Sequence, residues 1–197
     1  MTQLLKEAIK NRRSYYALSN ESTISDKDIE NLIEYAIKHI PSAFNSQTTR
    51  IVLLLGDNHK KLWDIVKNVL KDKQNFANTE AKINTSFASG HGTILFFEDQ
   101  DIVKGLQQAF PSYSDNFPLW SVQTSAMHQF AIWTMLRDAG MGASLQHYNP
   151  LIDEDVKNTW NLNPSWQLIA QMPFGKPLSE PDDKEHLPVD ERIKVFK

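Results

Sequence analysis

The 197-residue sequence predicts one domain that combines helices with a few apolar strands. Three observations carry this expectation. Apolar residues recur at helical spacing in several separate segments. Shorter apolar runs, Ile51–Leu55, Thr93–Phe97 and Trp166–Met172, have the length and composition of buried strands. No repeat, linker or second boundary interrupts the chain, so 1–197 reads as a single unit, with the charged, proline-bearing stretch 174–197 as an extended C-terminal arm.

Each element has a local reason. Leu4, Leu5, Ala8 and Ile9 share a helical face, predicting a helix over 2–11 that runs into Arg12-Arg13-Ser14-Tyr15-Tyr16. Arginines at a helix C-terminus complement its dipole. With the Ser14 hydroxyl they also offer planar, charge-assisted donors to a phosphate, and both readings stand. Ser25-Asp26-Lys27-Asp28 resembles a capping box. Behind it Ile29, Leu32, Ile33, Ala36, Ile37 and Ile40 keep helical spacing until Pro41 stops the helix.

The Pro41–Arg50 loop contains no glycine and connects this helix to the first strand. If the loop is extended, Asn45 and Gln47 alternate with Phe44 and Ser46 and point the same way. Their amides would then suit the edge of a ring carrying carbonyls and N–H groups. The plainer reading is a connection whose polar side chains cap backbone groups. Gly56-Asp57-Asn58 closes the strand, and Leu62, Ile65, Val66, Val69 and Leu70, with Trp63 beside them, mark a third helix. Residues 71–90 are polar apart from isolated Phe76 and Phe87, and are expected to be helical or irregular and mobile, a candidate lid. Ser89-Gly90-His91-Gly92 precedes a strand rather than opening a helix, so it reads as a turn and not a phosphate loop.

After the second strand come a short helix over Asp101–Gln108, a loop over Pro111–Pro118 and the longest helix, Leu119–Ala139. That helix is apolar nearly all round, which places it in a core or between subunits. Gly140 and Gly142 supply its left-handed cap. An extended segment Ala143–Tyr148, a helix Asp153–Trp160 and the third strand follow. The arm has too few apolar residues for a core of its own and must lie across something else.

Composition narrows the function. A net charge of −3 leaves no dominant basic face for nucleic acid. The absence of cysteine removes disulfides, thiolate metal sites and thiol catalysis, and fits an intracellular protein. No long apolar span or signal-peptide pattern is present, so no membrane partner is expected and the default location is cytoplasmic. Histidines at 39, 59, 91, 128, 147 and 186 are never paired at i+2, i+3 or i+4, so no metal is expected. There is no nucleophile elbow, Walker loop or dinucleotide fingerprint. What remains is an enzyme whose reactivity resides in a bound cofactor, or a protein without chemistry.

The ordered set Arg12-Arg13-Ser14-Tyr15-Tyr16, Phe44-Asn45-Ser46-Gln47, Leu62-Trp63-Asp64-Ile65, Leu145-Gln146-His147-Tyr148-Asn149-Pro150 and Phe174-Gly175-Lys176-Pro177 resembles the FMN-dependent nitroreductase family. Within it, the variants resemble a small subgroup containing yeast proteins linked to fatty-acid signalling and bacterial stress-induced nitroreductases. The resemblance implies an α+β fold, a mixed central sheet wrapped by helices, in a homodimer with FMN at the interface. It also implies site residues. Arg12, Arg13 and Ser14 would meet the phosphate and nearby atoms, while Tyr16 stands where many members carry a basic residue. Pro41, Ser42, Ala43 and Asn45 would approach the flavin from the other subunit, with Gln47 nearby. Leu145, Gln146, His147 and Tyr148 would lie along the ring. Lys184 matches a phosphate-binding lysine, and His186 falls where relatives often have arginine.

The implied activity is ping-pong transfer of hydride from NADH or NADPH to the flavin and on to a small flat aromatic acceptor, nitro or quinone. Phe76, Phe87 and Trp120 are the candidate pocket residues. The alternative is a flavin-binding regulatory protein in lipid or stress signalling whose reductase activity is incidental.

Overall fold

The computed structural model describes residues 5–197; Leu4 of the predicted first helix lies outside them. In chain order the first elements are α1 (Leu5–Asn11), β1 (Leu18–Ser19), α2 (Asp26–His39), β2 (Thr49–Leu55), α3 (Gly56–Leu70), α4 (Phe76–Ser86) and β3 (Gly92–Asp99). They are followed by α5 (Gln100–Ala109), α6 (Phe117–Asp138), β4 (Gly142–Ala143), α7 (Asp153–Thr159) and β5 (Trp166–Pro177). Short 3-10 turns occupy Ala43–Asn45 and Pro111–Asn116.

The result is an α+β fold around a sheet of order β1-β5-β3-β2, with β4 paired to β5. Its ladders are antiparallel. Among the described residues, the parallel part of the expected mixed sheet is the bridge between Ser14 and Ala143.

β3 explains its own sequence. It is buried along its whole length, so both faces must be apolar, and alternate side chains serve different layers. Ile94 and Phe96 join Met172 and Phe174 of β5, Ile29 and Ala36 of α2, and Ile132 and Leu136 of α6. Leu95 and Phe97 face the other way, onto Leu62, Trp63 and Val66 of α3, Ile83 of α4 and Val156 of α7. The β3–β5 register shifts at Phe96/Phe97, where Phe96 pairs Ala170 and Phe97 pairs Leu168. Ile169 is thereby bulged, which turns Leu168 to the second layer.

Several expectations need correction. Residues 71–90 are not a loose lid: α4 carries Ile83 and, just past its end, Phe87, four positions apart and both fully buried. α3 begins directly at Gly56, whose φ of +54° makes the corner that a side chain would strain. β5 continues to Pro177, so Phe174 and Gly175 belong to the sheet and the arm proper starts at Leu178. Gly140, at φ +84°, caps α6 as its sequence predicts.

α6 departs most from expectation. Its inward face is mixed: Ser121, Thr124, Ser125, His128, Gln129 and Thr134 are buried along with Phe117, Ile132 and Leu136. Leu119, Val122, Met127 and Phe130 face outward, at 41–55% exposure. The inward polar groups have a task. Glu98 of β3 is fully buried and accepts hydrogen bonds from the Ser121 and Thr49 hydroxyls, each at 2.7 Å. A buried carboxylate without such donors would be strongly destabilising.

His59 is locked between the layers. Its Nδ1 lies 2.9 Å from the Thr93 hydroxyl and its Nε2 3.2 Å from the Ala88 carbonyl, while Trp63 Nε1 donates to the same hydroxyl at 3.1 Å. A neutral ring satisfies every partner, with Nε2–H donating and Nδ1 accepting. Burial pushes the His59 pKa down to about 4, against a smaller opposing effect of the Ala88 carbonyl. Between pH ~6.5 and ~4 the unfolded chain therefore binds a proton that the folded protein does not. Folding stability should fall across that window by about 3 kcal/mol from this group. Urea denaturation at a series of pH values should show the loss, and His59→Gln should have a shallower acid slope; equal slopes would contradict the assignment.

Candidate functional site

At the end of α1 the Arg12 amide still bonds to the Ala8 carbonyl, at 2.9 Å, before the chain leaves the helix. The next residues are pinned to β4 by the Ser14–Ala143 bridge and a 3.0 Å bond from the Tyr15 amide to the Ala143 carbonyl. Gly142 permits this approach, because a Cβ there would lie 2.8 Å from the Tyr15 Cβ. The arm crosses opposite. Arg12, Arg13, Ser14 and Tyr16 thus line a cleft of about 660 Å³ with Lys184. An adjoining cavity shares Arg12, Arg13 and Lys184 and adds His186 and Arg137. Six residues expected at a phosphate, distant in sequence, are brought together.

The cleft wall carries three basic side chains, Arg12, Arg13 and Lys184, and three acidic ones, Glu180, Asp182 and Asp183. Arg12 lies over the Trp133 ring at 4.4 Å, and its buried Nε has no partner. Burial, and secondarily Arg13, lowers the Arg12 pKa, though a guanidinium stays charged. Among the described residues neither Arg12 nor Arg13 has a carboxylate partner; Arg13 Nη2 donates to the Asp182 backbone carbonyl at 2.5 Å. A half-buried guanidinium pair without a counter-anion favours a bound anion.

The Pro41–Arg50 loop is not extended. Ala43–Asn45 form a 3-10 turn, and Phe44, Asn45 and Gln47 have φ values of 57°, 51° and 49°. Left-handed backbone is costly for side chains other than glycine, and clusters of it mark functional segments. The Ser42 hydroxyl accepts from the Gln47 amide at 3.0 Å, and Arg50 Nη1 donates to the Gln47 carbonyl at 2.8 Å. Pro41 and Asn45 are exposed and Ala43 is half-buried. Ser42 and Gln47 line a separate cavity of about 370 Å³ with Ser46, Thr49, Arg50 and His128. Burial lowers the His128 pKa, and its Nδ1 lies 2.9 Å from the Thr124 carbonyl.

Phe44 leads into a feature that sequence reasoning missed. Its ring is stacked on Trp120 at 5.9 Å and 22°, and lies 5.0, 5.7 and 5.4 Å from Phe110, Tyr113 and Phe117. Phe44 itself is 51% exposed. Of the expected pocket residues, Trp120 belongs to this cluster. Phe76 opens α4 half-buried, whereas Phe87 is in the core against Trp63 at 5.0 Å. Phe87 is therefore a packing residue. The signal for Phe44 was its aromatic character in a polar loop.

The 145–148 segment runs beside β5. Leu145 packs on the first core layer and Tyr148 on the second. Gln146 bridges Gln171, His147 is exposed, and the Tyr148 amide donates to Gln171 Oε1 at 2.7 Å. Tyr15, Arg137 and Glu180, which sequence reasoning did not single out, also border the cleft.

The sequence profile of the Nitroreductase family matches residues 9–176. The chain is 31% identical over 179 residues to nitroreductase FRM2 of Saccharomyces cerevisiae, covering 90% of each protein. Its structure is similar to nitroreductase CinD from Lactococcus lactis in complex with chloramphenicol, with TM-score 0.91, 42% identity and coverage of 98% of this chain and 100% of that one. CinD has also been solved with 4-nitrophenol. An Exiguobacterium sibiricum protein solved with FMN shares the fold, at TM-score 0.73 and 13% identity, covering 100% of both chains. The chain belongs to the nitroreductase family.

Proposed function

We propose that the protein is an FMN-dependent oxidoreductase that takes electrons from NADH or NADPH and reduces flat nitroaromatic or quinone-type acceptors. Family membership supports the oxidoreductase class. The observation that carries the cofactor is the cleft in which Arg12, Arg13 and Lys184 converge while Arg12 keeps an unpartnered buried Nε. That donor set fits a phosphate dianion. Arg12 and Arg13 would hold it by charge-assisted bonds, Ser14 by its hydroxyl, and Lys184 as a point charge.

When bound, FMN supplies hydride acceptance and donation in alternation, which is the source of ping-pong kinetics. The loop amides of Asn45 and Gln47 would orient the ring edge, and Leu145–Tyr148 would flank it. The Phe44–Trp120 cluster offers the flat apolar surface on which an aromatic acceptor stacks. CinD's complexes with chloramphenicol and 4-nitrophenol, both carrying nitroaromatic rings, support this acceptor class.

A homodimer belongs to the same proposal. The outward apolar face of α6, with Leu5 and Ile9 of α1 also exposed, lacks cover in one protomer. From Trp120 to Trp133 the helix spans about 20 Å. Two copies of α6 packed across a two-fold axis perpendicular to the helix run antiparallel. The Trp120–Phe44 end of one protomer would then meet the Trp133–Arg12 end of its partner, completing two sites. No described helix is long and apolar enough to cross a membrane, and a cytoplasmic location accompanies the reading.

Purified protein should carry or bind about one FMN per chain without a covalent link. Arg12→Ala should weaken that binding by about 1.5–3 kcal/mol, measured by flavin fluorescence quenching. Unchanged affinity in the variant would remove Arg12 from the phosphate site. Light scattering at micromolar concentration should give the mass of a dimer. A Met127→Glu/Phe130→Glu double variant, which puts charge on the apolar face, should give a monomer that has lost flavin. A monomeric wild type that retains flavin would contradict the interface.

A further inference from the structure

We infer that Glu180 is a positioning residue, clamping the C-terminal arm to Tyr15 and Arg137 so that Lys184 stays over the Arg12–Arg13 cleft. The inference rests on the reading of that cleft as a phosphate site. Beyond Pro177 the arm forms no helix or strand and is largely exposed. Among the described residues, its last backbone-to-backbone tie to the body is the Leu178 amide on the Ala17 carbonyl, at 2.8 Å. Something else must hold the segment that carries Lys184.

Glu180, whose side chain is 74% exposed, does so through one hydrogen bond and one longer ion pair. Oε2 accepts from the Tyr15 hydroxyl at 2.7 Å, and Oε1 lies 3.9 Å from Arg137 Nη2. The anchor is rigid: the Tyr15 ring is buried and the Arg137 guanidinium lies over it at 4.9 Å. The Tyr15 pKa is pushed up to about 12, first by burial and then by the bond to Glu180, so the hydroxyl remains a donor at neutral pH. Arg13, bonded to the Asp182 carbonyl, adds a second tie two residues along.

Charge placement separates this role from its opposite. A carboxylate on the cleft wall, where Glu180, Asp182 and Asp183 all stand, could act as an internal anion that competes with phosphate. Glu180 is instead engaged by Tyr15 and Arg137, and neither Arg12 nor Arg13 pairs with it. The clamp thus fixes the arm without neutralising the arginines. Removing it should loosen the arm and speed loss of the cofactor, whereas removing a competitor would tighten binding.

The test uses the full chain with Glu180→Ala, Glu180→Gln, Tyr15→Phe and the Glu180→Ala/Tyr15→Phe double variant, each checked for a native melting curve. Two rates are read: tryptic cleavage after Lys184 without added flavin, by mass spectrometry, and FMN release on dilution, by fluorescence recovery. Glu180→Ala and Tyr15→Phe should each raise both rates about fivefold. Glu180→Gln, which keeps a neutral acceptor, should fall between wild type and Glu180→Ala. The double variant should add little, because both changes break one bond. Unchanged cleavage, unchanged release despite faster cleavage, or slower release in Glu180→Ala would each overturn the inference. If the wild type binds no FMN, the phosphate reading and the inferred role both fall, while the cleavage rates still report whether Glu180 holds the arm.

Discussion

The buried carboxylate of Glu98 constrains the rest of the molecule. It sits on the central strand with no cation bonded to it among the described residues, and hydroxyl donors come to it from Thr49 and Ser121. That arrangement brings buried polar residues of α6 to the sheet beside its core residues Ile132 and Leu136, while Leu119, Val122, Met127 and Phe130 face out. The same helix then carries Trp120 into the aromatic cluster at one end and Trp133 beneath Arg12 at the other. The bonds to Glu98 and the core packing of Ile132 and Leu136 together orient the helix that presents an uncovered face and both halves of the proposed site.

The two halves differ in character. The cleft at the end of α1 holds two arginines that have no carboxylate partner among the described residues, while the loop end is aromatic and amide-rich. A molecule with a charged phosphate and a flat ring matches one end with each feature. In a single protomer the two ends line different cavities. Pairing two antiparallel copies of α6 is the simplest geometry that joins them, and it also covers the exposed leucine, valine, methionine and phenylalanine.

Much of this was legible in the sequence. β3 announced itself as a continuous apolar run, because a strand covered on both faces needs no alternation. α2 carried its Ser25 cap, whose hydroxyl accepts from the Asp28 amide at 3.1 Å. Other features were hidden for physical reasons. Phe87 looked isolated among polar residues, but helical spacing places it with Ile83 on one buried face. The buried polar residue Ser121 of α6 serves Glu98, whose donors are tens of residues away in both directions. β1 is two residues long and exists only because β5 extends to meet it. The left-handed turn at Phe44 has no glycine to signal it, and the roles of Lys184 and His186 were suggested by family resemblance rather than by local pattern.

The central claim is that each site is built from two chains, with Arg12 from one and Asn45 from its partner. It is tested most directly in a purified mixed dimer that carries Arg12→Ala in one chain and Asn45→Ala in the other, isolated with two affinity tags. If the residues act across the interface, both lesions fall on one site and the other is wild type. Flavin release should then show one wild-type phase, about one FMN per dimer, and one fast or absent phase. Two impaired sites and no wild-type phase would show that Asn45 serves the same chain as Arg12, and would contradict the account.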